Sequence, residues 1–267
     1  MSAHGDLTPR PSRRICLRVS YDGTRYHGWQ QQPGLPLTIQ GVLGETLSEL
    51  LNEEVSVDGA SRTDAGVHAQ DQLVAFTTTH PMRLEGFVKG LNRRLPPDIA
   101  VRAPVEVPTG FMPRFENHGK RYCYRVFTSR TPDPIRGRFA TRIHYGLDPE
   151  RISRGLDLLL GTHDFKSFAA TNGQHRHSVR TLERLSLKVC PEELIELRFE
   201  GPSFLKQMVR NLVGTLLEVG RGHWEVERIR LALEARDRRA AGPTAPPQGL
   251  TLERMFWRPN LESERIR

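Results

Sequence analysis

The spacing of apolar and polar positions predicts strands and amphipathic helices in both halves of the chain. Short alternating or apolar segments predict strands at 15–20, 55–57, 73–77, 120–127, 182–189 and 194–199, the last two forming a hairpin. Apolar residues at helical spacing predict helices starting after Thr38, over 81–95, from Asp148-Pro149, from about 203 to 219 with Gly220 as the C-cap, and near 224–236. This interleaving indicates an α+β fold with helices packed on a mostly antiparallel sheet.

Turn-forming residues dominate the segments 21–34, 58–66 and 238–249. The second contains Asp64, within the string SRTDAGVHA. A carboxylate in a tight turn can face a substrate and act as nucleophile or base, and a nearby arginine such as Arg62 favours its ionised form. The alternative is that Asp64 only organises the turn by bonding its own backbone.

The helix predicted over 203–219 carries two residues away from its apolar stripe. Arg210 and Gly214 lie one turn apart on the same side. Because glycine inside a helix costs about 1 kcal/mol relative to alanine, a glycine beside an arginine indicates that another backbone or a ligand comes close. The alternative is a surface arginine next to a glycine that serves only packing.

Aromatic and basic residues alternate along the strand predicted at 120–127. Tyr122 and Tyr124 share one face, whereas Arg121, Cys123 and Arg125 share the other. Aromatic rings interleaved with arginine are typical of RNA-binding surfaces. Two tyrosines packed in the core are the alternative.

Composition narrows the classes of partner. The 39 basic and 31 acidic residues give a net charge of +8, which favours a polyanionic partner, although scattered charge can also be a solvated surface. Three well-separated cysteines suggest neither a disulfide framework nor a zinc site, and we interpret 175–177 (HRH) as a basic loop. No glycine-rich phosphate or dinucleotide motif occurs, so no nucleotide cofactor is expected. Without a signal peptide or a membrane-length apolar segment, we expect a cytoplasmic protein.

Seven segments recur in family order: YDGTRYHGWQ, SRTDAGVHA, LNRRLPPDIAV, KRYCYRV, HDFKSF, FLKQMVRNLVG and APPQGL. Through them the chain resembles the tRNA pseudouridine synthase A (TruA) family from about residue 14 to residue 257. The resemblance implies the α+β pseudouridine synthase fold: two ferredoxin-like halves whose mostly antiparallel central sheet is flanked by helices around a central basic cleft. We expect a disordered tail at 1–13, an N-terminal half at 14–113 with the Asp loop, a C-terminal half at 114–260 and a tail at 261–267.

The resemblance also implies the chemistry. Asp64 attacks the uridine at the base or at the sugar, Tyr122 packs on the target ring and assists proton removal, Arg210 pairs with Asp64, and Arg62 fills the space of the extruded nucleotide. Further implied substrate contacts are Arg114, Lys120, Arg121 and Gln207. The implied enzyme is a homodimer without metal or cofactor. Each tRNA bridges both subunits, and the targets are uridines 38–40 of the anticodon stem-loop.

Four places depart from the family pattern and leave the choice of uridines open. Ser61 replaces a glycine, Pro113 an alanine, Lys206-Gln207 an aromatic–histidine pair, and Thr251 a tyrosine. An RNA-binding module without chemistry is one alternative, and the intact set of Arg62, Asp64, Tyr122 and Arg210 argues against it. An isomerase acting on another RNA is a second. A glycosidase would need a second carboxylate, and none stands out.

Overall fold

The computed structural model describes residues 11–34, 37–173 and 176–257, which contain two successive β-α-β-β-α-β units, the second with three additional short strands and one additional helix. The strands are β1 (Arg13–Tyr21), β2 (Val57–Gly59), β3 (His68–Thr78), β4 (Ile99–Val107), β5 (Asn117–Thr128), β6 (Thr141–Ile143), β7 (Gly161–Asp164), β8 (Val179–Leu182), β9 (Arg184–Cys190), β10 (Leu194–Gly201) and β11 (Leu250–Trp257). The helices are α1 (Ile39–Leu51), α2 (Leu84–Asn92), α3 (Pro149–Leu159), α4 (Met208–Gly220) and α5 (Arg228–Ala235).

Both halves share one strand order, which confirms the α+β fold with two ferredoxin-like halves. The main sheet runs β4-β1-β3-β11-β5-β10-β9, with β2 on β3 and β6 on β5, while β7 and β8 pair separately. The orders β4-β1-β3-β2 and β11-β5-β10-β9 are equivalent, and all their neighbours are antiparallel. The halves join where β11 runs parallel to β3, pairing Thr251 with His68. This junction lies directly after the loop that carries Asp64.

The two predicted N-caps are confirmed, but the predicted C-cap and several helix bounds are wrong. The Thr38 hydroxyl accepts from the Gly41 amide at 3.2 Å, and Asp148 caps α3 through two backbone amides. The helix predicted over 203–219 begins only at Met208, because Gln207 adopts a left-handed conformation with φ of 59°. It ends at Gly220, so Gly220 is its last residue and not its cap. The predicted helices at 81–95 and 224–236 shorten to α2 and α5.

Three strands of the main sheet, β4, β6 and β11, were not predicted from the sequence patterns, and one prediction merged two strands. β4 contains Pro104, which an edge strand tolerates because it lacks one row of ladder hydrogen bonds. β11 follows the long loop at 238–249. The single strand predicted at 182–189 is instead β8 and β9, which separate at Glu183.

The predicted tails and the predicted boundary between the halves can be compared with the described residues. Residues 1–10 and 261–267 of the predicted tails lie outside the described residues, and Arg13 belongs to β1. The boundary at 113/114 lies in the link from β4 to β5, and we keep it as a proposal. Buried residues of both halves form one continuous core. No helix within the described ranges has the length and apolar character needed to cross a membrane.

Candidate active site

The loop between β2 and β3 carries Asp64 and is held by the loop that follows β1. The Tyr21 hydroxyl lies 2.8 Å from the Thr63 hydroxyl, and the Trp29 amide donates to the Thr63 carbonyl at 3.0 Å. Gly28 has φ of +92°, and a Cβ there would lie 2.7 Å from the same carbonyl oxygen. The turn-rich segment at 21–34 is therefore the support of the Asp64 loop, and the close packing of the two backbones requires glycine.

Arg210 on α4 is the charged partner of Asp64. Its Nη1 donates to Asp64 Oδ2 at 3.1 Å, and its Nε donates to the Ala245 carbonyl at 2.8 Å. The two residues of this pair lie 146 positions apart in the chain, and both side chains are largely buried. A Cβ on Gly214 would lie 1.7 Å from the Pro243 carbonyl oxygen. The close backbone predicted from the Arg–Gly spacing is confirmed as the loop at 243–245.

A hydroxyl on the Asp64 loop links two residues of β5. Ser61 Oγ lies 2.8 Å from the Tyr122 hydroxyl, and Lys120 Nζ donates to it at 3.3 Å. Burial raises the pKa of Tyr122 to about 12; the Ser61 hydrogen bond opposes this rise and the charge of Asp64 adds to it. Burial lowers the pKa of Lys120 to about 8, and the nearby Arg114 acts in the same direction. Ser61 thus takes part in a polar network with Tyr122 and Lys120.

Comparison with known proteins assigns the family. A family model described as tRNA pseudouridine synthase matches residues 18–116 and 156–257. The chain is 45% identical over 245 residues to a tRNA pseudouridine synthase A of Myxococcus xanthus, covering 92% of each chain. It is 44% identical to that of Exiguobacterium sibiricum, covering 92% of this chain and 97% of the relative, and 41% identical to that of Thermotoga neapolitana, covering 89% and 97%.

The chain belongs to the tRNA pseudouridine synthase family. It is a pseudouridine synthase, an isomerase.

Three other residues that the resemblance implied are Arg62, Arg114 and Arg121. In this synthase Arg62 is exposed and lines a cavity with Arg114, and the charged partner of Asp64 is Arg210. Arg121 lies on the opposite face of β5 from Tyr122 and pairs with Glu200 at 2.7 Å. The resemblance implied Arg210 as the partner of Asp64, and this ion pair is present.

Gln207 lies at the start of α4, and Tyr124 is packed in the core. Gln207 is the left-handed residue that precedes α4, three positions before Arg210. Tyr124 is fully buried, and its hydroxyl donates to the Pro246 carbonyl at 3.0 Å and contacts Thr141 at 2.6 Å. The core alternative holds for Tyr124, whereas Tyr122 reaches the Asp64 loop.

His68 is a site residue that the sequence patterns did not single out. It is 2% exposed, and its Nδ1 accepts from the Gly23 amide at 3.1 Å while its Nε2 lies 3.2 Å from the Gln248 carbonyl. Nδ1 also lies 3.1 Å from Asp22 Oδ1, so the Gly23 amide and the Asp22 carboxylate both face this ring nitrogen. Burial lowers the pKa of His68, and Asp22 opposes that effect. His68 therefore ties the end of the Asp64 loop to segments of both halves, a role that no periodicity in the sequence reveals.

The described residues contain no group of three His, Cys, Asp or Glu side chains suited to a metal ion. The basic loop predicted at 175–177 includes His175, which lies outside those residues. Cys16, Cys123 and Cys190 are free thiols.

Proposed function

We propose that this synthase converts uridine to pseudouridine in the anticodon stem-loop of tRNA, with Asp64 as its nucleophile. The observation that carries the proposal is the pairing of a partly exposed loop carboxylate with an arginine on a buried helix, in a chain of this family. The names of the relatives, at 41–45% identity, support tRNA as the substrate.

Arg210 would fix the carboxylate for attack. Its contact is to Oδ2, so Oδ1 is the oxygen we assign to the bond with the base or with the sugar. The bond between uracil N1 and the sugar breaks, the uracil turns, and its C5 bonds to the sugar. C5 then loses its proton, N1 is left protonated, and Asp64 is released, so atoms and charge balance.

Tyr122 would pack on the turned ring and assist removal of the C5 proton. Its hydroxyl is held by Ser61, and its ring meets Phe204 edge to face with centroids 5.1 Å apart. Burial raises the pKa of its phenol to about 12, so the neutral phenol is the form present at neutral pH. We therefore assign Tyr122 to positioning a proton acceptor.

The RNA contacts are proposed for Arg62, Arg114, Lys120, Arg121 and Gln207. Of these, Arg62 would occupy the space of the extruded nucleotide, since a uridine inside a stem must leave the stack to reach Asp64. We also propose a homodimer in which each tRNA contacts both subunits, acting in the cytoplasm where tRNA is modified. Many phosphate contacts make binding fall steeply with salt, and a flat response would contradict a basic cleft.

The test is Asp64→Asn, which removes the nucleophile and keeps the shape of the side chain. We expect no pseudouridine and nearly unchanged tRNA affinity. Carbodiimide mapping of tRNA from a deletion strain complemented with each variant reads the modification and shows which uridines are targets. Asp157→Asn on the exposed face of α3 is the matched control and should modify tRNA normally. Normal modification by Asp64→Asn would overturn the assignment, and tRNA binding without any modification by the wild type would indicate a binding module.

A further inference from the structure

A cavity of about 230 Å³ opens beside the Asp64 loop and has the character of a base-stacking site. Its lining includes Trp29, Gln30, Arg62, Met112, Arg114 and Phe115. Phe115 is 70% exposed and Met112 is 51% exposed. Exposed aromatic rings next to basic side chains are the usual stacking platforms for unpaired nucleic-acid bases.

The inner wall of the cavity is closely packed. The Trp29 indole lies against Gly59, where a Cβ would be 2.3 Å from the ring. Asp58 also lines the cavity, but its carboxylate pairs with Arg14 at 2.6 Å. The acidic charge on this wall is therefore compensated within the protein.

Three cations beside this cavity are not compensated. The ion pairs among the described residues include none formed by Arg62, Arg114 or Lys120. Arg114 is close enough to disfavour the charged forms of both Arg62 and Lys120. By contrast, Arg121 and Arg125 on the other face of β5 both pair with glutamates of β10.

Lys120 is the most informative of the three. It is 9% exposed, and the Ser61 hydroxyl, which accepts only one of its three N–H donors, is its hydrogen-bond partner. Holding a buried ammonium without a counter-charge is costly, so this arrangement suits an anionic ligand. An RNA phosphate is the anion that a pseudouridine synthase meets at this place.

We propose that the cavity and the three cations bind one nucleotide of the RNA substrate adjacent to the target uridine. Its base stacks on Phe115 within the cavity, and its phosphate lies among Arg62, Arg114 and Lys120. The inference rests on the proposed function and adds a defined subsite to it. Arg62 is two residues from Asp64, and Lys120 is two residues from Tyr122 on the same face of β5, so the subsite directly borders the reaction site.

Separate substitutions can measure the contributions of stacking and of charge to tRNA binding at this subsite. Stacking contributes about 1–3 kcal/mol per base, so Phe115→Ala should weaken tRNA binding about fivefold or more with an unchanged salt slope, and Phe115→Trp should restore it. Arg114→Ala should weaken binding and lower the salt slope by about one. Leu231→Ala and Arg102→Ala, both exposed positions elsewhere, are the matched controls and should change neither quantity.

The experiment measures tRNA binding across a salt series, together with kcat and KM, for each variant. An anticodon stem-loop carrying 4-thiouridine next to the target uridine should crosslink to the peptide containing residues 112–115. Unchanged tRNA binding by both Phe115→Ala and Arg114→Ala, or a crosslink to another peptide, would overturn the subsite. If the wild type is active, the proposed function is unaffected by that result. If the wild type is inactive, the proposed function fails, and the binding and crosslinking results still decide the subsite. Displacement of the crosslink by inorganic phosphate alone would indicate a general anion site and contradict it.

Discussion

Replacing Gly214 by alanine sets helix propensity against tertiary packing. Alanine is favoured over glycine within a helix by about 1 kcal/mol, so propensity alone predicts a more stable protein. The new Cβ would, however, lie 1.7 Å from the Pro243 carbonyl oxygen, whereas carbon–oxygen contacts are normally about 3.3 Å or longer. The loop would have to retreat by about 1.6 Å, the difference between these two distances.

That loop cannot retreat without losing contacts to α4. The Ala245 amide donates to the Arg210 carbonyl at 3.1 Å, Arg210 Nε donates to the Ala245 carbonyl at 2.8 Å, and the Gly242 amide donates to the Thr215 hydroxyl at 2.9 Å. Overpacking typically costs about 1–3 kcal/mol, and each lost hydrogen bond adds about 1 kcal/mol. If one of these three bonds is lost, the gain in propensity offsets that loss, and we expect Gly214→Ala to lower the free energy of unfolding by about 1–3 kcal/mol.

Gly44→Ala is the matched control, because Gly44 is also inside a helix but its Cβ would meet only the Val55 carbonyl at 3.4 Å. We expect it to raise the free energy of unfolding by about 0.5–1 kcal/mol. Urea and thermal unfolding measure both changes, and about 1 kcal/mol corresponds to roughly 2–4 °C in Tm for a chain of this size. Since Arg210 moves with the loop, Gly214→Ala should also reduce kcat more than tRNA affinity. A Gly214→Ala protein that is as stable as Gly44→Ala, or fully active, would refute the packing argument.

Three further substitutions probe the polar network. Because the pKa of Lys120 is lowered from 10.5 to about 8, the unfolded state binds more protons at this side chain between these values, so the contribution of Lys120 to stability rises with pH over that range. In urea unfolding, the wild type should therefore gain stability relative to Lys120→Met from about pH 8 to pH 10.5. Ser61→Ala removes the hydroxyl next to Tyr122 and should lower kcat by less than about tenfold with unchanged KM, since one hydrogen bond is worth about 1 kcal/mol. Arg210→Lys keeps the charge but cannot bond Asp64 and Ala245 together, so single-turnover rates should fall while tRNA affinity persists.

Local sequence patterns predicted the elements whose causes are local. The caps at Thr38 and Asp148 follow from side chains that bond nearby amides, and both are present. The close backbone at Gly214 could be predicted because glycine is unfavourable inside a helix and its presence there indicates a compensating contact. The start of α4 could not be predicted, since Leu205 continues the apolar stripe and is buried in the turn that precedes the helix. The left-handed conformation of Gln207 separates Leu205 from the helix, and no side-chain pattern marks this break.

Long-range pairing explains what remained unpredicted. β11 is central only because it pairs with β3 and β5, strands far away in the chain, and its own residues do not reveal either partner. In the same way, Arg62 lies two positions from Asp64 in the sequence, yet the ion pair is formed by Arg210 across the two halves. The family resemblance indicated that pair, whereas spacing and composition did not.

The position of Asp64 is therefore a property of the whole fold. A Cβ at Gly28 would be 2.7 Å from the Asp64 loop on one side, and a Cβ at Gly66 would be 3.0 Å from Pro247 on the other. The first contact comes from the N-terminal half and the second from the C-terminal half, which also supplies Arg210. β11 joins these halves beside His68. Any change that separates β11 from β3 should therefore break the ion pair between Asp64 and Arg210. Placing one partner in each half makes completion of the site depend on the docking of both.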